Sequence, residues 1–268
     1  LMRERMKVPR ALLERLPRLR YMVFTGSHTR AVDIAYAKSR GVLTSVTVST
    51  VSNSAAEHTW ALIMALAKNI VVEDRNMREG RWMTEVGFRL EGRRLGVLGL
   101  GSLGATVARY GRAFDMDVVA WSANLTAERA NECGAKLVSK EELLRSSDII
   151  TVHLKLSSRT EKLIGSPEFA LMKKTAVLVN TSRGPIVDEA ALIEALTTGR
   201  IAKAGLDVYD REPLPPDHPL RGIPNTVLTP HTGFTVEEGL RKYYTDAISL
   251  IADWRAGRPR NVYEGFRD

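Results

Sequence analysis

Between Arg94 and Leu228 the chain alternates short runs of Val, Ile and Leu with stretches of helical spacing, and no other feature constrains the fold as strongly. Runs such as 149–154 and 176–180 are almost wholly apolar, the pattern of strands covered on both faces. The spacing predicts strands over 96–99, 118–121, 136–138, 149–154, 176–180, 204–208 and 226–228. Helices are expected between them over 102–114, 127–133, 141–145, 167–172 and 189–196. Strand–helix–strand units of this kind wind into a parallel sheet with helices on both faces, so the fold class is α/β, doubly wound.

The flanks read differently. The first 80 residues resemble a second, smaller α/β piece, with a helix after Pro9, a strand over 21–25, a turn at Gly26 and a helix from Asp33. A helix over 55–69 is apolar on most faces, which places it between domains or subunits. The tail carries one helix, 236–254, ended by Gly257 and Pro259, that is expected to return to the N-terminal piece. The expected domains are therefore 1–80, 81–232 and a returning segment, 233–268.

Composition narrows the function. The 268 residues are 44 % hydrophobic and 26 % charged, ordinary values for a chain with a sizeable core, which excludes wholesale disorder and a coiled-coil rod. The net charge of +8 is spread among acids rather than gathered in blocks, and aromatics are 6 %, so a nucleic-acid surface is not expected. Scattered positive charge reads first as a solvated basic surface, with attraction of small anions as the functional alternative. Cys133, the single cysteine, cannot form an internal disulfide, and no Cys/His spacing suggests a metal. The most apolar stretch, 60–67, is far short of the 18 or so residues of a membrane span. A cytoplasmic protein is expected.

The strongest local signal is GLGSLG, Gly99 to Gly104, after the strand VLG and at the start of a helix. This is the setting the dinucleotide fingerprint requires: Gly99 for the turn, Gly101 for approach of a pyrophosphate, Gly104 for helix packing, with the N–H groups of Ser102 and Leu103 opening the helix. The next strand, DVVAWS, ends in Trp121 and Ser122, where an acidic ribose-binding residue normally stands. A neutral Ser can bond a ribose hydroxyl and cannot repel a 2′-phosphate, so NAD and NADP both remain candidates. Three further segments, VNTSRGPIVD, AGLDVYDREPLP and LTPHTGF, leave strands on the same edge and bring Arg183, Asp207, Glu212 and His231 towards the cofactor.

These motifs, in this order, resemble the D-isomer-specific 2-hydroxyacid dehydrogenase family. The resemblance implies a Rossmann-like cofactor domain and a smaller flavodoxin-like substrate domain. It also implies hydride exchange between a nicotinamide cofactor and a small anionic 2-keto or D-2-hydroxy acid, such as glyoxylate or hydroxypyruvate. His231 matches the family's acid/base residue, Glu212 its acidic partner, and Arg183 the cation that holds the substrate carboxylate. Asp207 matches a position on the nicotinamide side, and Thr181 and His153 are expected to line the same cleft. Gly26 and Ser27 match a loop whose N–H groups bind the substrate carboxylate, in a domain that closes on the other. Arg3 resembles a substrate-contacting arginine of some relatives, and family habit favours a homodimer.

Two departures stand out. Phe234 replaces the second glycine of the PHxGG-like turn, and relatives usually carry a further strand–helix–strand ahead of Leu1, so either the sequence is a fragment or the substrate domain is N-terminally truncated. The alternative reading is a corepressor-like regulatory protein that binds the cofactor without turnover. Retention of Arg183, Glu212 and His231 argues for the enzyme, because binding alone does not need them.

Overall fold

The computed structural model describes residues 7–25, 32–47 and 53–263. The chain forms two compact units, Leu1–Val51 with Thr235–Asp268, and Ser52–Phe234. Arg3, Gly26 and Ser27 lie outside the described residues.

The smaller unit contains α1 (Arg10–Glu14), β1 (Tyr21–Phe24), α2 (Ile34–Ser39) and β2 (Leu43–Val46). Its two strands pair in parallel from Tyr21 opposite Leu43 to Phe24 opposite Val46. Asp33 caps α2 by accepting from the Tyr36 N–H at 2.9 Å, satisfying one of the donors that a helix start leaves over. Leu13, Met22, Phe24 and Ala37 close the core.

The larger unit begins with α3 (Ser54–Ala67) and α4 (Ile70–Arg78). There follow β3 (Arg94–Leu98), α5 (Ser102–Ala113), β4 (Asp117–Trp121), α6 (Ala127–Glu132), β5 (Lys136–Leu137), α7 (Lys140–Ser146), β6 (Ile149–Val152), α8 (Ser166–Leu171), β7 (Val177–Asn180), α9 (Glu189–Thr197), β8 (Lys203–Leu206) and β9 (Thr226–Leu228). The chain then returns to the smaller unit as α10 (Glu237–Arg255), where Trp254 stacks on Tyr21 at 4.9 Å between centroids. Among the described residues no helix is long and apolar enough to cross a membrane.

The seven strands of the larger unit form one parallel sheet in the order β5-β4-β3-β6-β7-β8-β9. The order reverses between β3 and β6, the switch point at which sheets of this kind open a crevice for ligands. Alternation along the strands feeds two cores. Leu98, Ile150, Val152 and Leu178 pack with α7, α8 and α9, whereas Val97, Ile149, Val177 and Val179 pack with α3 and α5.

Helix α3 differs from its sequence-based expectation. It belongs to the larger unit, not to a domain ending near residue 80, and its Leu62, Ile63 and Leu66 are buried against the sheet. Its apolar faces are consumed by the core.

Candidate active site

Register sets the site. Trp121, Leu98, Val152, Asn180, Leu206 and Leu228 are opposite one another across six successive strands, so their loops leave the sheet at one level. With neighbouring strands about 4.8 Å apart, β3 and β8 lie roughly 14 Å apart along this edge.

The turn after β3 is shaped by its glycines. Gly99 sits at φ +97°, and a Cβ there would lie 2.8 Å from the His153 carbonyl. A Cβ on Gly104 would lie 1.9 Å from the Gly99 oxygen, so α5 can pack this closely only without one. Where a Cβ of Gly101 would stand there is open space, and Gly101 caps α5 without any side chain. The first turn of α5, opened by Ser102 and Leu103, has no acidic residue. N–H groups with no intrahelical acceptor, the positive helix end and a clear approach suit a pyrophosphate. These residues fit a dinucleotide.

Ser122 follows Trp121 at the end of β4, and its carbonyl accepts from the Leu125 N–H at 3.1 Å in a tight turn. His153 Nε2 pairs with Thr151 Oγ1 at 2.8 Å, while its buried Nδ1 has no partner among the described residues. Burial pushes this imidazole down to about 3, so the ring is neutral. Thr181 is buried and 2.8 Å from Thr59 Oγ1. Because Thr59 donates its own proton to the Ala55 carbonyl at 2.7 Å, Thr181 must be the donor between the two hydroxyls.

Asn180 builds the turn that carries Arg183: its Nδ2 donates to the Arg183 carbonyl at 3.0 Å and its Oδ1 accepts from the Ser182 N–H at 3.0 Å. Arg183 is exposed, with Nη1 donating to the Ser182 carbonyl at 2.7 Å. The next loop carries Glu212, whose Oε1 accepts from the Tyr209 N–H at 3.1 Å. Its Oε2 is 2.7 Å from His231 Nδ1. An ionised carboxylate only accepts, so Nδ1 bears the hydrogen and Nε2 is left to exchange protons with a substrate. His231 holds φ +55°, an uncommon conformation for a side-chain-bearing residue, and Phe234 meets its ring edge-on at 5.9 Å.

Asp207, 1 % exposed, lies beneath this turn. Burial alone would raise its pKa, yet donors from His58, Thr229, Gly233 and Thr232 hold it below the ordinary carboxylate value.

The structure thus brings His231 and Glu212 into direct contact and sets Arg183, Asp207, Thr181, His153, Ser122 and the glycine turn on one sheet edge. Sequence reasoning missed the share of α3: Ser54, His58 and Thr59 each bond a loop of this edge. The available signal was a set of polar residues at 54, 57, 58 and 59 at the start of a helix that is apolar from Trp60 onwards.

A doubly wound sheet with a glycine-rich turn at its switch point and an imidazole–carboxylate pair on the same edge defines a dinucleotide-dependent class of protein. Residues 60–233 match the family model for the D-isomer specific 2-hydroxyacid dehydrogenase NAD binding domain, and the chain belongs to that family. It is 41 % identical over 261 residues to a glyoxylate reductase of Aeropyrum pernix, spanning 94 % of this chain and 78 % of that protein. Among solved structures, a phosphoglycerate oxidoreductase from Vibrio cholerae superimposes with a TM-score of 0.90 at 28 % identity, covering 95 % of this chain and 82 % of the other. The D-lactate dehydrogenase of Aquifex aeolicus complexed with NAD and lactic acid gives 0.81 at 26 % identity, over 97 % and 85 %.

Proposed function

We propose that this protein is an NAD(P)-dependent oxidoreductase that interconverts a small 2-keto acid and its D-2-hydroxy acid, glyoxylate or hydroxypyruvate being of the expected size. The observation that carries this reading is the 2.7 Å pair of His231 Nδ1 and Glu212 Oε2, on the sheet edge that also bears the glycine turn. When bound, the nicotinamide exchanges hydride with C2 of the acid. Arg183 holds the substrate carboxylate in its planar fork. His231 gives the Nε2 proton to the C2 oxygen as it gains charge, and takes it back in the reverse direction. Glu212 fixes the ring orientation and balances the imidazolium charge. Thr181, His153 and Asp207 would line the cofactor side of the cleft, the neutral imidazole of His153 adding no charge.

Ser122 is neutral, so weak discrimination between NAD and NADP is the consistent reading. A homodimer is supported by Trp82, Met83 and Val86, which are 78 %, 81 % and 94 % exposed beside exposed Ile70, Val71 and Met77. Their segment is tied back to α4, where Glu73 accepts from Thr84 Oγ1 at 2.7 Å and from the Glu85 N–H at 2.8 Å. An exposed apolar segment of this kind suits a second copy of the chain better than solvent. The single cysteine accords with a cytoplasmic location.

The test is absorbance of NADH and NADPH with a panel of 2-keto acids. Turnover is expected with at least one small acid. His231→Ala should lower kcat by about 100-fold or more with cofactor affinity nearly unchanged. Cofactor binding without turnover on every acid would favour the regulatory alternative.

A further inference from the structure

We infer that His58 on α3 is a positioning residue for the proton donor, acting through Thr229 and Asp207 on the turn that carries His231. The inference rests on the role given to His231 above.

A proton inventory fixes the direction of the bonds. Thr229 has one hydroxyl proton and gives it to Asp207 Oδ1 at 2.5 Å. His58 Nε2 lies 2.9 Å from Thr229 Oγ1 and 3.2 Å from Asp207 Oδ1, and both of those oxygens accept. The hydrogen between them must therefore sit on His58 Nε2, shared by the hydroxyl and the carboxylate. Asp207 Oδ1 also accepts from the Thr232 N–H at 2.8 Å, and Oδ2 from the Gly233 N–H at 2.9 Å.

One buried carboxylate thus gathers positions 229, 232 and 233, which bracket His231. Of its donors, His58 alone comes from a different element. A second tie from the same helix runs from Ser54 Oγ to the Gly233 carbonyl at 2.6 Å. A Cβ on Gly233 would stand 3.1 Å from Asp207 Oδ2 and 3.5 Å from the His58 ring, so turn, carboxylate and imidazole are in close packing.

His231 occupies a left-handed conformation that persists only where its surroundings over-determine it. Without the His58 N–H, Thr229 and Asp207 lose the donor that sets their relative orientation, and the turn relaxes. Three donors would remain on Asp207, so the fold should survive. The donors from Thr229, Thr232 and Gly233 still hold the Asp207 carboxylate on the cofactor side, and the glycine turn and Arg183 are held by other contacts, so binding should hardly change. A misplacement of His231 on the scale of 1 Å lowers turnover by up to about 100-fold.

The experiment compares wild type with His58→Leu, which lacks the donor, and His58→Gln, which restores an N–H at a similar reach. Steady-state kinetics with glyoxylate and NADH, NADH affinity by fluorescence, and thermal stability are measured together. His58→Leu should lose about 10- to 100-fold in kcat, with KM and NADH affinity within about 3-fold of wild type, and His58→Gln should recover most of the loss. A purely structural His58 would lower the melting temperature while kcat per folded molecule stayed at the wild-type level. That result, or a His58→Gln as slow as His58→Leu, overturns the inference. If His58→Leu fails to fold, Thr229→Val breaks the same relay, and wild-type kcat there overturns it equally. If wild type turns over no acid, the functional reading has failed by itself. Hydrogen exchange at the Thr232 and Gly233 amides then decides the His58 question: faster exchange in His58→Leu with recovery in His58→Gln supports it, and unchanged protection refutes it.

Discussion

Gly184 stands so close to Tyr209 that a Cβ at position 184 would lie 2.1 Å from the Tyr209 carbonyl carbon and 2.6 Å from the Asp210 nitrogen. The turn that follows Arg183 is in this way pressed against the start of the loop that carries Glu212. Two of the three proposed catalytic side chains share one backbone contact, and only glycine permits it.

Gly184→Ala should therefore push the two loops apart. The colliding atoms belong to backbone and cannot rotate away, so a loss of about 1–3 kcal/mol is expected, the range for overpacking. Thermal denaturation reads the stability, and kcat should fall more than the stability alone accounts for. An unchanged kcat would show that the spacing of the loops does not matter for turnover.

Ser122→Asp should turn a tolerant cofactor site into a selective one. A carboxylate at the end of β4 would accept from ribose hydroxyls and repel a 2′-phosphate. The expected outcome is a fall in kcat/KM with NADPH of about 10-fold or more, with the NADH value held or improved. Parallel titrations with the two cofactors check it.

Trp82→Lys combined with Met83→Lys should yield a monomer in light scattering. Both side chains are largely exposed, so the folded monomer loses little, and its melting temperature at low protein concentration should match wild type. A dimer that persists in the double variant would move the interface elsewhere.

Asp210 carries a pH signature. Partial burial of its carboxyl, then Glu189 and other neighbouring acids, push it up to about 6, with Lys162 opposing. A pKa raised above the ordinary value near 3.9 means that the folded state holds the proton more tightly than the unfolded chain. The associated stability is complete below about pH 4 and is lost as pH rises through about 6. Asp210→Asn should therefore stabilise the protein at pH 8, by about 1 kcal/mol or less because solvent screens a surface group, and have no effect at pH 4. Denaturation at the two pH values tests the sign.

How much of this was legible in the sequence depends on whether the cause was local. Strands β3, β6 and β7 showed themselves because burial on both faces leaves continuous apolar runs. Strand β2, LTSV, did not, because its buried Thr44 and Ser45 are satisfied by the distant tail: Ser45 donates to the Arg260 carbonyl at 2.7 Å, and the Thr44 carbonyl accepts from the Tyr263 N–H at 2.8 Å. Helix α4 was hidden for the opposite reason, since its Ile70, Val71 and Met77 face outwards and give no core stripe. The His231 and Glu212 roles came from resemblance, and their contact from the fold. His58 looked like one more position of an apolar helix, because the partners that define it lie about 150 and 170 residues further along the chain.

The level row of strand ends from Trp121 to Leu228 has an evolutionary consequence. Where a loop closes on itself, as Ser122 does with Leu125, a change at its tip leaves the neighbouring rungs and the layers beneath them undisturbed. Preference for one acid over another, or for one coenzyme over another, can then drift by edits of a few exposed atoms at a time, while the barrier to unfolding stays with the buried Val, Ile and Leu below.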